Sequence, residues 1–433
     1  MTETLLATEV FTPSSYPEHT YVERGAAELE NALRKSLHIP GDIISLSGPS
    51  KSGKTALVAR ETSTDHLVVV AGGHISSVDD LWNKALDQVG LPDETATSAA
   101  VGEESKLGTE GKAGVSVPFL GKGETSITSD KSSSSSSTSE VRRSRRGLTD
   151  LADSFSKQKL ILLIDDFHYI PDVLRTEIAK AIKEAARLGV KVVVASVPHR
   201  ADDVVRSNPE LRGRVKSIDL TYWDSRDLTR IATLGFKKLN TWVSEQVVAK
   251  IVLEAVGSPQ LVQAICLDLC FGLNIEKALE TFSPAAVTEE AVERALRETA
   301  TRTDFRTLLK KLHDGPPSRG VERALFDFAD GTTGDTYRCV LLALANEPPR
   351  LSHTFKSLMD RVALVCIGDK PSTSGIQNAL LQIQAISRGA ASHSVLEWDG
   401  DNSLEVLDPY FLYYLRWGSG LKSLAARIGS NGK

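Results

Sequence analysis

The segment Gly48-Pro49-Ser50-Lys51-Ser52-Gly53-Lys54-Thr55 constrains this chain more than any other stretch of it. It follows the apolar run Ile43 to Ser47, which reads as a strand, and it opens a helical pattern from Lys54 to Thr62. A Gly-rich turn ending in Gly-Lys-Thr between a strand and a helix is a phosphate-binding (Walker A) loop: it gathers backbone N–H donors and aims the positive end of a helix dipole at one point. Gly48 and Gly53 let the backbone wrap closely around phosphates, with Pro49, Ser50, Lys51 and Ser52 between them. Lys54 is placed to neutralise phosphate charge and the Thr55 hydroxyl to ligate magnesium, so ATP and Mg2+ are the expected ligands.

From residue 43 onward, short β-rich runs alternate with helical stretches, the pattern of a parallel sheet covered by helices. The spacing predicts strands over Ile43–Ser47, His66–Ala71, Leu160–Ile164, Val190–Ser196 and Val215–Leu220. Helices are predicted over Lys54–Thr62, Val78–Val89, Gly147–Ser156 and Arg175–Leu188, which makes a five-stranded α/β core. The run Leu160 to Ile164 is apolar throughout, as expected of a strand covered on both faces, and it delivers Asp165 and Asp166 at its C-terminal end. There Asp165 would hold magnesium through water, the Walker B role, and Asp166 would orient or activate an attacking water as a general base. The other reading of Asp166 is a helix cap or surface acid.

A chain of 433 residues is too long for one ordinary core, and two or three domains are expected. No run approaches the eighteen or so apolar residues of a membrane helix, and Met1 to Pro13 lacks the pattern of a secretory signal, so a cytoplasmic protein is expected. The four cysteines have no paired spacing that would make a disulfide framework. Cys266 and Cys270 lie on one face of a helical pattern and read as buried thiols. A net charge of −5 argues against wholesale coating of nucleic acid while leaving room for a local basic patch.

Residues 91–146 break the alternation. They are rich in Gly, Ser and Thr, culminate in Ser132 to Ser137 and end in Arg142-Arg143-Ser144-Arg145-Arg146, a composition that cannot bury enough apolar surface to order itself. Within them, Gly114 to Thr128 carries a weak hairpin pattern around Gly121-Lys122-Gly123. After Leu220 helical patterns follow one another over Asp227–Leu239, Ser244–Val256, Pro259–Leu273 and Thr288–Arg297. A third unit reads as helices over Asp335–Asn346, Ser352–Arg361 and Ser374–Ile386, then a hairpin from Ser394 to Leu407 turning at Asp399-Gly400-Asp401, the order of a winged helix. The expected division is therefore an ATPase core over 1–220 interrupted by the 91–146 insertion, a helical lid domain over 221–313 and a C-terminal winged-helix-like domain over 314–433.

The phosphate loop, the Leu162-Leu163-Ile164-Asp165-Asp166-Phe167-His168 strand end and Gly257-Ser258-Pro259 together resemble the AAA+-related STAND ATPases and the origin-recognition-type initiator ATPases. Tyr21-Val22-Glu23-Arg24-Gly25-Ala26-Ala27-Glu28-Leu29 is similar to a family stretch that lies against the adenine, with Glu23 in place of its Gly. The resemblance covers residues 17–275 and implies adenine contacts from Tyr21 and Val22. It implies a γ-phosphate sensor at Ser196, or at the nearby His199 and Arg200, and a helix cap at Pro259 that links nucleotide state to the lid. It also implies that Arg212 or Arg214 reaches into a neighbouring subunit's site, the alternative being ordinary surface arginines. Gln260 stands where initiators usually carry a second sensor arginine.

The function expected from these features is an ATP-hydrolysing switch that forms a homo-oligomer and engages an anionic or protein partner through residues 111–146 and the winged helix. A DNA-binding initiator or transposition-type ATPase is the rival, with nucleic acid as partner. A membrane partner, through a Val115 to Ile127 hairpin, is the least favoured. Ser372 to Ile386, where a recognition helix would lie, holds no Lys or Arg, which points toward a protein or the chain's own core. The aromatic run Tyr410 to Trp417 reads as core packing.

Overall fold

A computed structural model describes residues 4–90, 147–197, 211, 213–317, 322–390 and 394–424. The first unit runs α1 (Ala7–Val10), α2 (Glu28–His38), β1 (Ile43–Ser47), α3 (Lys54–Thr62), β2 (Leu67–Ala71), α4 (Val78–Gln88), α5 (Leu148–Gln158), β3 (Ile161–Asp165), α6 (Asp172–Arg187), β4 (Lys191–Ser196) and β5 (Val215–Asp219). Its five strands form one parallel sheet in the order β2-β3-β4-β1-β5. All five predicted strands are present to within a residue at each end, and β1 and α3 have the predicted bounds.

Alternate side chains of the central strands feed two apolar layers, as a period of two requires. Ile43, Leu162, Ile164, Val192 and Val194 pack beneath α4, α5 and α6 with Leu81, Trp82, Phe155, Ile178 and Ile182. Ile44, Leu46, Leu163, Val193 and Ala195 pack on the other face with Leu33 of α2 and Leu57 and Val58 of α3. Burial on both faces explains the apolar runs within β3 and β4 and the burial of every β1 residue, Ser45 and Ser47 included.

The second unit comprises α7 (Ser225–Lys238), β6 (Thr241–Trp242), α8 (Glu245–Glu254), α9 (Pro259–Gly272), β7 (Ser283–Pro284) and α10 (Glu289–Ala300). Helix α9 starts with Pro259 behind the Ser258 cap, whose side chain accepts from the Leu261 N–H, and its residues Leu261 to Cys270 are all buried. Cys266 and Cys270 are therefore core thiols, and burial raises both above their ordinary pKa. Ala7, Val10 and Phe11 of the N-terminal segment join this unit's core.

The third unit holds α11 (Arg306–Asp314), β8 (Phe326–Phe328), β9 (Thr333–Gly334), α12 (Thr336–Ala345), β10 (Ser352–Thr354), α13 (Phe355–Val365), β11 (Cys366–Ile367), α14 (Thr373–Ala390), β12 (Leu396–Trp398), β13 (Ser403–Val406) and α15 (Pro409–Trp417). The helix expected from Ser352 begins instead at Phe355. Ser352 to Thr354 pair with β13, and the Thr354 side chain caps the helix by accepting from Ser357 N–H. The hairpin of β12 and β13 that follows the helices is joined by β10, from before α13, in a three-stranded antiparallel sheet. Helix α15 joins the units: Tyr410 and Tyr413 enter the second unit's core while Phe411, Leu412 and Leu415 enter the third's. The aromatic run is core, as its helical spacing implies.

Candidate nucleotide site

The loop after β1 and the strand end of β3 lie on one edge of the sheet because β4, between β1 and β3, holds both in parallel register. They open onto a cleft of about 400 Å³ lined by Ser50 to Leu57, Asp165, Asp166, Tyr21, Val22, Arg24, Trp223 and Pro259. The phosphate loop, the Asp pair, the N-terminal segment and the start of α9 therefore meet, as the resemblance implies.

Within the loop, Gly53 has φ +90°, a backbone that side chains rarely adopt, and it precedes the first turn of α3. Lys54 is 6% exposed, and its ammonium donates to the carbonyls of Gly48 (2.9 Å) and Pro49 (3.0 Å). Burial lowers its pKa, opposed by the charges of Asp165 and Asp166. Gly48 and Pro49 are thus anchors for the lysine and stand behind the cleft wall that Ser50 to Thr55 form. The Thr55 hydroxyl donates to Asp165 Oδ2 at 2.6 Å, and Asp165 Oδ1 accepts the Asp166 N–H at 2.9 Å. Among the described residues no cluster of three His, Cys, Asp or Glu could hold a metal ion. One hydroxyl beside one carboxylate is nevertheless the protein share of a magnesium site completed by water and phosphate oxygens, so this donor pair fits Mg2+.

Asp166 faces the cleft in a left-handed conformation (φ 52°, ψ 44°) ahead of the helical turn Phe167–Tyr169. Gly72, just after β2, leaves room for this backbone: a Cβ there would stand 2.5 Å from the Asp166 carbonyl oxygen.

Tyr21 and Val22 line the cleft. The Tyr21 hydroxyl donates to Glu30 at 2.9 Å, and burial with that carboxylate pushes the phenol well above its ordinary pKa. Ser196 is tied to the loop through its carbonyl, which accepts the Gly48 N–H at 3.1 Å; its hydroxyl is buried and off the cleft wall. Arg214 is exposed at the start of β5, a strand length of about 13 Å from the loop end of the sheet. Arg212, His199, Arg200 and the whole 111–146 segment lie outside the described residues.

Two residues with no assigned role also line the cleft. The Trp223 indole N–H donates to the Ser52 carbonyl at 2.9 Å, and the Arg24 guanidinium sits 4.8 Å over its ring. Arg24 belongs to the motif quoted above, while Trp223 stands alone in an unpatterned linker and carries no sequence signal. On the opposite flank, Lys51 reaches out of the loop to Asp408 at the N-terminus of α15, 3.4 Å away.

No protein-family model matches the chain, and no curated protein matches it in sequence. Similar solved structures include the Walker-type ATPase PABY2304 of Pyrococcus abyssi, at 14% identity and TM-score 0.48 over 91% of this chain and 97% of that one. The ORC2 protein of Aeropyrum pernix, solved as ADPNP-ADP complexes, is 13% identical with TM-score 0.48 over 99% and 100%. Cdc6p from Pyrobaculum aerophilum is 12% identical with TM-score 0.41 over 98% and 100%. At such distances they assign neither activity nor partner to this chain. Sheet order, the loop after β1 and the acids after β3 define the class: a P-loop ATPase fold of the AAA+ type.

Proposed function

We propose that the chain binds ATP with magnesium in this cleft and hydrolyses it, using the nucleotide state to alter how the second and third units sit on the core. The observation that carries the reading is the 2.6 Å bond from Thr55 to Asp165, made beside a buried Lys54 on a glycine-bounded loop. Lys54 turns from the loop carbonyls to phosphate oxygens and neutralises their charge. Thr55 and Asp165 hold magnesium, which when bound offsets charge on the transferred phosphoryl group. Asp166 orients the attacking water and takes its proton, while Tyr21 and Val22 cover the base. Pro259 and Lys51 link the loop to the second and third units. The proposed division keeps 1–220 for the core, but the expected boundary at 313 moves to before Arg306, because Leu308, Leu309 and Leu312 of α11 pack in the third unit's core. The test is steady-state phosphate release by the full chain with Mg-ATP. Turnover that vanishes in Asp166→Asn supports the reading, and equal turnover moves the base elsewhere.

Assembly is the second part of the proposal. Arg214 is too far along β5 to serve its own cleft, so it, or Arg212, completes the site of a neighbouring copy in a homo-oligomer. Mixing Arg214→Ala with Lys54→Ala then restores part of the activity each lacks alone, and no rescue at any ratio argues for a monomer. Residues 111–146 and the winged-helix-like unit recruit an anionic or protein partner. The initiator reading, with DNA as partner, is disfavoured by α14: its one basic residue, Arg388, sits 3.6 Å from Glu397, and the adjoining hairpin turns at Asp399 and Asp401. Stimulation of hydrolysis by duplex DNA would reverse that preference. Among the described residues no helix is long and apolar enough to cross a membrane.

A further inference from the structure

Trp223 occupies the linker between β5 and α7, and three parts of the chain fix its orientation. Its backbone N–H donates to the Gly257 carbonyl at 3.2 Å in the turn before α9. Its ring face is covered by Arg24, whose guanidinium in turn donates to the Thr221 carbonyl at 2.7 Å. Its indole N–H donates to the Ser52 carbonyl at 2.9 Å.

That last bond acts on one peptide unit. In a trans peptide the C=O and the following N–H point in opposite directions, so holding the Ser52 carbonyl against the indole turns the Gly53 N–H away from it. Gly53, at φ +90°, has no side chain to resist a flip of this unit, and the wrong orientation would present a carbonyl oxygen to an anion. Lys54 anchors the carbonyls of Gly48 and Pro49 at the start of the loop, and Trp223 anchors Ser52 at its end. We propose that Trp223 is a positioning residue for the phosphate loop, locking the Ser52–Gly53 peptide so that the Gly53 amide is presented to the nucleotide phosphates. The inference rests on the cleft being a nucleotide site. Because Trp223 is also held by Arg24 over its ring and by Gly257 at its backbone N–H, the same residue reports to the loop where the N-terminal segment and the second unit stand.

The experiment is calorimetric titration of the full chain with Mg-ATP, using Trp223→Phe and a second variant that carries β-(3-benzothienyl)alanine at position 223, which has the indole's shape and no N–H. Losing one hydrogen bond that preorganises the loop predicts binding about five- to tenfold weaker in both. The KM for ATP should rise by more than kcat falls. In the benzothienyl variant the thermal midpoint without nucleotide should fall only slightly, by the loss of that one hydrogen bond. Among the described residues Trp223 is the only tryptophan lining the cleft, so the parent's emission should change saturably with ATP and Trp223→Phe should abolish the change. Parent-like affinity in the benzothienyl variant overturns the proposal. So does a nucleotide-free fold that collapses in the benzothienyl variant, which would make Trp223 structural only. Lys54→Ala separates the two readings: if it binds ATP as the parent does, the nucleotide site itself is misplaced, whatever Trp223 does.

Discussion

Lys51 Nζ, carried on the phosphate loop at φ 61°, lies 3.4 Å from Asp408 Oδ1 and 3.8 Å over the Tyr410 ring, so the loop itself holds the start of α15. The Asp408 side chain is 5% exposed and also caps α15 by accepting the Tyr410 N–H at 2.9 Å, which fixes the carboxylate for the lysine. A double-mutant cycle of Lys51→Met and Asp408→Asn, the latter keeping the cap, should give a coupling of about 1 kcal/mol in urea unfolding. The coupling should shrink under saturating Mg-ATP if phosphate competes for Lys51. An unchanged value with nucleotide would remove this contact from the switch.

Gly72, in the turn that follows β2, leaves room for the backbone at the end of β3. A methyl at this position meets the Asp166 carbonyl oxygen at 2.5 Å and the Asp165 carbonyl oxygen at 3.2 Å, backbone atoms that cannot rotate aside. Gly72→Ala should cost about 1–3 kcal/mol of stability and displace both aspartates. Its kcat should fall more than its ATP affinity, measured by single-turnover hydrolysis and equilibrium binding. A variant with normal kcat would show that the strand end tolerates the shift.

His353 gives the third unit a pH limit. Its Nε2–H donates to the Arg350 carbonyl at 3.0 Å, while Nδ1 is buried with no partner among the described residues. Burial, with the nearby Arg361 charge, holds its pKa down at about 4 against an ordinary 6.5. The unfolded chain therefore binds more protons between these values, so stability is full above pH 6.5 and is lost as pH falls toward 4, by about 3 kcal/mol at most. Thermal midpoints between pH 4 and 7.5 should fall on acidification, and His353→Gln should flatten the slope. A parent profile as flat as the variant's would mean the ring is protonated when folded.

The core was legible because its signals are dense and local. The apolar runs of β3 and β4 follow from burial on both faces, and Gly53-Lys54-Thr55 at a helix start and Asp165-Asp166 at a strand end are compact local patterns that the fold brings together. Short pairings such as β6 with β7, two residues each, leave no periodicity to read. Ser352 to Thr354 read as helical because they run into α13 without a breaker, and only pairing with β13, about fifty residues further along the chain, makes them a strand. Trp223 and the Lys51–Asp408 contact join residues 171 and 357 positions apart, relationships that exist only once the chain is folded.

Whether the cleft beside Lys54 binds ATP is decided by isothermal titration of the parent, Lys54→Ala and Asp166→Asn with Mg-ATP. The parent and Asp166→Asn should bind one nucleotide per chain with similar affinity, and only the parent should turn it over. Lys54→Ala should show no binding, because water cannot replace the ammonium at that position in the loop. Binding by Lys54→Ala at the parent's affinity would contradict the assignment of the site.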